Sequence, residues 1–152
     1  MKKTGIILIV LIFFISCKKQ ESFELKKCFK KEYLGIFNNS KIQMIIDEVK
    51  TNRDNSSYDI KGKTIHKDTS VPFLGVLKLA DSINNTKTLH LKYTYMFKEK
   101  EMEHGSGNFS GYTLIEVQNN KNDYNYKKSK VKFIGNYIFP SGQQFPCSFN
   151  VK

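Results

Sequence analysis

The sequence predicts an all-β protein, a single antiparallel up-and-down meander of about eight strands closing into a barrel. Three observations carry this. From Tyr33 onward apolar side chains recur with period two. Polar turn clusters separate the runs at a spacing of roughly 12–18 residues. Beyond the N-terminal leader no stretch holds a 3.6-residue period. A two-sheet β-sandwich is the alternative that the same rhythm allows, but closure removes the unpaired edges that a sandwich must protect.

Tyr33, Gly35 and Phe37 begin a first short strand that ends at Asn38-Asn39-Ser40. Ile42, Met44 and Ile46 share one face of the second, and residues 51–57 (TNRDNSS) turn the chain. Tyr58, Ile60 and Gly62 lead a third strand towards His66, with a turn at Lys67-Asp68-Thr69-Ser70. Phe73, Gly75, Leu77 and Leu79 form one face of the fourth, and residues 81–86 (DSINNT) turn again. Leu89, Leu91, Tyr93, Tyr95 and Phe97 alternate without a break, the clearest strand signal in the chain. A charged connection over 98–107 leads to the sixth strand, with Phe109, Gly111, Thr113, Ile115 and Val117 on one face. Residues 119–130 (NNKNDYNYKKSK) read as a long polar loop. Val131, Phe133, Gly135, Tyr137 and Phe139 then make the seventh strand, and Phe145, Cys147, Phe149 and Val151 the eighth. Isolated glycines inside these runs suit the bends that a closing barrel needs.

The chain has 152 residues, 39% of them apolar and 26% charged, which is a globular balance. At the N-terminus, Met1-Lys2-Lys3 precedes an uncharged run over 5–15 (GIILIVLIFFI). A helix of that length reaches only about half the thickness of a bilayer core, so the run reads as a secretory signal rather than a span. Phe14-Ile15-Ser16-Cys17 resembles the lipobox of bacterial lipoproteins, with Phe14 where that family usually has Leu. The resemblance implies cleavage before Cys17 and acyl chains on it, a firm anchor because each buried methylene is worth about 0.8 kcal/mol. Lys18-Lys19-Gln20-Glu21 resembles the charged tether of Bacteroidetes lipoproteins, and Lys rather than Asp at 18 implies an outer-membrane destination. The expected organisation is a signal peptide over 1–16, a lipidated tether over 17–31 and a barrel domain over 32–152.

Cys28 and Cys147 remain once Cys17 is assigned to lipid. An even pair in an exported chain argues for a disulfide. That bridge would close a loop of about 120 residues, worth roughly 4–5 kcal/mol in the chain-entropy picture. Two buried free thiols are the alternative.

The formal charge is +11, and removing Lys2 and Lys3 with the leader lowers it to +9, 23 basic residues against 14 acidic. Such a surface favours acidic partners, and in the envelope these are headgroups, glycans or proteins rather than nucleic acid. His66, His90 and His104 stand at no metal-ligand spacing, and no nucleophile elbow, phosphate loop or dinucleotide fingerprint occurs. Glu99, Glu101, Glu103 and His104, interspersed with lysines, read as a solvated hairpin tip. No enzyme, metal or cofactor is therefore expected. Tyr93, Tyr95, Phe109, Phe133 and Tyr137 share the inward faces, where they either line a cup for a small apolar or sugar-like ligand or fill a solid core.

The Tyr-x-Gly start, the Ile-x-Met-x-Ile second strand and Gly107-Asn108-Phe109-Ser110-Gly111 resemble the calycin group, the avidins and lipocalins, in strand rhythm across about 33–151. The Trp residues those proteins use are absent, since the chain has none. The resemblance implies a membrane-anchored, non-enzymatic barrel that binds a small ligand. The second expectation is an interaction or inhibitor module, similar to periplasmic lysozyme inhibitors, presenting its loops to an acidic partner.

Overall fold

In the computed structural model, residues 23–29, 32–52, 56–85, 87–100, 107–120 and 123–151 are described; the leader and Cys17 lie outside them. Eight antiparallel strands form one closed up-and-down barrel in sequence order. They are β1 (Glu32–Phe37), β2 (Ser40–Thr51), β3 (Ser57–His66), β4 (Thr69–Asn84), β5 (Thr88–Glu99), β6 (Asn108–Asn120), β7 (Asp123–Ile138) and β8 (Gln144–Val151). β1 pairs with β8 from Tyr33 opposite Val151 to Phe37 opposite Cys147, and this closes the sheet. The tight β1–β2 hairpin places Asn38 and Asn39 at φ 45° and 59°. Asparagine tolerates that left-handed region, and two such residues give a turn whose twist matches the strands.

Alternation sorts the side chains. Along β5, Leu89, Leu91, Tyr93, Tyr95 and Phe97 are buried, while His90, Lys92, Thr94, Met96 and Lys98 face outward exposed. An apolar interior under a lysine-bearing exterior reverses the pattern of a lipid-spanning barrel, which is polar within and apolar without. The middle of the barrel is filled by aromatic rings. Phe73 stacks on Phe97 at 4.8 Å, and Tyr33 and Tyr95 meet Phe133 edge-on at 5.2 and 5.6 Å. Phe73, Phe97 and Phe149 each lie against a glycine of the neighbouring strand, Gly62, Gly75 and Gly35 respectively. The bare backbone makes room for each ring.

Two expected turns are strand. β4 continues through residues 81–84, pairing Asp81 with Lys92 and Ile83 with His90. β6 and β7 continue through most of the expected polar loop, pairing Asn119 with Tyr124 and Asn120 with Asp123. The ladder shifts register between Leu79 and Asp81 and between Glu116 and Gln118. A bulge resets which residues face inward, so polar residues continue the pairing where the apolar alternation stops.

The shift in β7 also builds a latch. Residues 126–129 drop out of the β6–β7 pairing, and Ser129 Oγ sits 2.8 Å from the Cys28 carbonyl and 2.9 Å from that of Tyr126, with one proton to share between them. The Tyr126 hydroxyl accepts from the Glu24 amide at 3.0 Å. Phe23 packs edge-on to Tyr124, and the Lys27 ammonium sits 5.4 Å from the Tyr126 ring centre. A 3₁₀ turn, Leu25–Cys28, is thereby held in the barrel with Leu25 and Cys28 in its core. The described part of the expected tether is thus a plug at the end where β1 begins and β8 ends.

The expected Cys28–Cys147 bridge is not formed; both residues are buried with no disulfide between them. Cys28 is pinned in the plug by Ser129. Cys147 lies four residues up β8 from Val151, opposite Phe37 at the far end of β1. Four residues of strand are roughly 13 Å, well beyond the reach of a disulfide.

Burial sets how these interior groups ionise. The Tyr93, Tyr95 and Tyr137 hydroxyls are held well above the usual tyrosine range, first of all by burial. Burial also pushes the Cys147 thiol up to about 11. Below the ordinary thiol value of 9.0 both the folded and unfolded chains keep these protons, and the stability they contribute is fully present. Above it the unfolded chain releases protons that the folded chain retains, so stability falls as pH rises. The urea midpoint is expected to drop between about pH 8 and about pH 11, with the tyrosinate absorbance of Tyr93, Tyr95 and Tyr137 appearing only as the chain unfolds. A flat midpoint with gradual tyrosinate growth would show these side chains in contact with water.

Candidate functional site

The plug closes one end of the barrel, and the other end is hollow. There, between the β1–β2 and β3–β4 hairpins and the β7–β8 turn, lies a cavity of about 380 Å³. Its polar centre is Glu99, the last residue of β5 and only 6% exposed. Each carboxylate oxygen accepts a short hydrogen bond. Thr64 Oγ1 donates to Oε1 at 2.6 Å, and the Tyr137 hydroxyl donates to Oε2 at 2.7 Å. After burial, the Glu99 hydrogen bond and negative charge are the causes that hold the Tyr137 hydroxyl protonated.

Three strands place these groups, and alternation explains each. Thr64 and His66 continue the inward face of β3 past Tyr58, Ile60 and Gly62, and Glu99 continues that of β5 past Phe97. Tyr137 follows Phe133 and Gly135 on β7. Among the described residues no lysine, arginine or histidine forms an ion pair with Glu99. His66 also lines the cavity. Its ring stands edge-on to Phe37 at 6.3 Å, and its Nε2 is buried without a hydrogen-bond partner among the described residues. Phe37, Tyr137 and Phe139 form one wall, with the Tyr137 ring 5.0 Å from Phe37 and 4.8 Å from Phe139.

Of the five expected lining residues, Phe109 and Tyr137 border this cavity. Tyr93, Tyr95 and Phe133 do not. They are 3%, 4% and 0% exposed, within the aromatic packing of the middle of the barrel. The Tyr95 hydroxyl faces the Cys147 thiol, and each influences the other's ionisation, yet the pair does not reach hydrogen-bond geometry. The inward aromatics thus pack solid in the middle of the barrel, while Phe109 and Tyr137 border a cavity at its rim.

Sequence reasoning missed Thr64 as a site residue and assigned Glu99 to a solvated tip. Residues 101–104, the rest of that charged cluster, lie outside the described residues. The signal that finds Glu99 is parity, since it is the sixth member of the odd-numbered series that starts at Leu89. Among the described residues no group of three His, Cys, Asp or Glu side chains could hold a metal ion.

Larger clefts run over the outer surface. One of about 910 Å³ lies near the plug, between Lys87, Asn119 and Tyr124. Another of about 880 Å³ runs beneath Lys61, Leu74 and Lys98. In the first, the buried Asn119 amide is satisfied by Asn84 at 3.0 Å. The second borders Glu99 from outside under flexible lysines. Among the clefts lined by the described residues, the rim cavity gathers buried polar groups from three strands against an aromatic wall, the arrangement of a small-molecule site. No family model, curated protein or solved structure matches the chain.

Proposed function

We propose that the chain is an envelope lipoprotein, acylated on Cys17, whose barrel binds a small ligand in its open rim. The carrying observation is the buried Glu99 carboxylate, held by Thr64 and Tyr137 against an aromatic wall in a barrel otherwise packed solid. Core packing does not account for a carboxylate there, because burying a charge costs free energy that an apolar side chain would not. A ligand site does account for it.

The path of the chain supports the anchor. Phe23 enters at the plug end, six residues after Cys17, a tether of at most roughly 20 Å. An acylated Cys17 then holds the plug towards the bilayer and the open rim away from it. The lysine-bearing outer face suits a barrel standing on a membrane rather than crossing it. The reading is binding, because Glu99, Thr64 and Tyr137 are already joined by hydrogen bonds into a fixed polar group at the side of the cavity.

The second reading, an interaction module, draws on apolar side chains left outside. Leu74 and Met96 are 61% and 64% exposed on neighbouring strands. Mass spectrometry of the protein purified from its own membrane separates the two. The first reading expects an acylated Cys17 at the N-terminus and, in the native spectrum, the added mass of a small molecule. An unmodified or later N-terminus would overturn the anchor. A clean apo mass together with an acidic protein recovered by cross-linking would overturn the ligand reading in favour of the second.

A further inference from the structure

We infer that the rim cavity selects a small organic cation, an amine carried on an apolar or aromatic body; this rests on the ligand-binding reading and names its chemical class. Three features converge. Glu99 is a buried carboxyl group whose two oxygens each accept a hydroxyl proton, and among the described residues it has no cationic partner. A carboxylate offers about four lone-pair directions, and Thr64 and Tyr137 use two. The remaining acceptor capacity and the uncompensated charge belong to whatever occupies the cavity.

The wall suits the same ligand. Phe37, Tyr137 and Phe139 pack edge-to-face beside Glu99, and aromatic faces attract a cation through their negative π-surface. Carboxylate and rings thus reinforce one another for an ammonium group and oppose one another for an anion. His66 Nε2, buried and unpartnered, adds a hydrogen-bonding position at the side of the cavity. The volume limits the size. About 380 Å³ holds the equivalent of roughly a dozen waters, hence a molecule of about that many non-hydrogen atoms. A bare metal ion does not fit this donor set, since no three potential ligating side chains cluster among the described residues. The net positive surface slows a cation's approach without changing the local attraction once it is seated.

The test compares three probes of one shape, phenethylamine, phenethyl alcohol and phenylacetate. Each is titrated by calorimetry against the full-length protein in nanodiscs of uncharged lipid, with empty nanodiscs as the blank. The amine is expected to bind roughly tenfold or more tighter than the alcohol, and the acid not to bind. Glu99→Gln, with its fold checked by circular dichroism, is expected to reduce the amine's advantage over the alcohol to less than about threefold. The comparison of probes on the unaltered protein stands even where that variant fails to fold. Equal affinity for amine and alcohol, or tighter binding of the acid, would overturn the cation assignment and leave the ligand-binding reading intact. No heat from any of the three would count against both.

Discussion

Truncating Phe97 to alanine is expected to destabilise the barrel by roughly 3–5 kcal/mol. Phe97 is fully buried at the centre of the aromatic packing, stacked on Phe73 at 4.8 Å and packed against Tyr95 at 4.8 Å and Phe133 at 5.9 Å. Its ring also covers Gly75, whose missing side chain leaves nothing else to fill the gap. Neighbours in a closed sheet are fixed by ladders on both sides, so the cavity left by the ring would collapse little, and cavity cost adds to transfer cost. The melting temperature is expected to fall by roughly 10–20 °C, with a matching loss in urea midpoint. A loss below about 1.5 kcal/mol would mean that the middle of the barrel is loosely packed or wet. The consequence would reach function. Phe97 precedes Glu99 on the inward face of β5, so a hole left by its ring would loosen the packing that fixes Glu99 in place.

The architecture was legible because the interior demands it at every second residue. Leu89 to Phe97 could adopt no other arrangement without exposing five large apolar side chains. The strand ends were not legible, because beyond Leu79 every residue of β4 is exposed, and in β7 the bulge moves the more buried positions from even (124, 126) to odd (129, 131). Polar stretches such as 81–84 and 123–125 pair through their backbones, and backbone pairing leaves no mark on side-chain polarity. The plug was hidden for a related reason. Leu25 and Cys28 are two apolar residues among lysines, and only the gap in β7 around Ser129 gives them a place to go. Cysteine parity pointed to a bridge because it counts residues and not positions; the register puts the two thiols on different levels. At the site, Glu99 was obscured by its acidic neighbours at 101 and 103, although the parity of its own strand assigns it inward. Tyr137 was found because it is aromatic, and its role as a donor to Glu99 became visible only once β5 and β7 were placed across the same cavity.

The tightest point in the sheet gives the sharpest test of this geometry. Gly111 on β6 and Gly135 on β7 face each other directly. A Cβ on Gly111 would run into the Ile134 carbonyl oxygen and come within 2.6 Å of the Gly135 Cα. A Cβ on Gly135 would meet the Ser110 carbonyl oxygen and lie 2.8 Å from the Gly111 Cα. In both cases the obstacle is backbone, which cannot swing aside as a side chain can. The bare pair also opens the space across which Tyr95, opposite Gly111, and Cys147, opposite Gly135, face each other. Gly111→Ala is therefore expected to cost about 3 kcal/mol, and Gly111→Val to prevent folding. Gly142 provides the contrast. It sits in the β7–β8 turn at φ +84° with nothing within 4 Å of an added Cβ, so Gly142→Ala costs only left-handed backbone strain, about 1 kcal/mol. Urea midpoints of the two alanine variants separate crowding from conformation. Equal losses would mean that β6 and β7 can part without harm, and the close approach that brings Tyr137 over to Glu99 would then be a soft feature of the barrel rather than a fixed one.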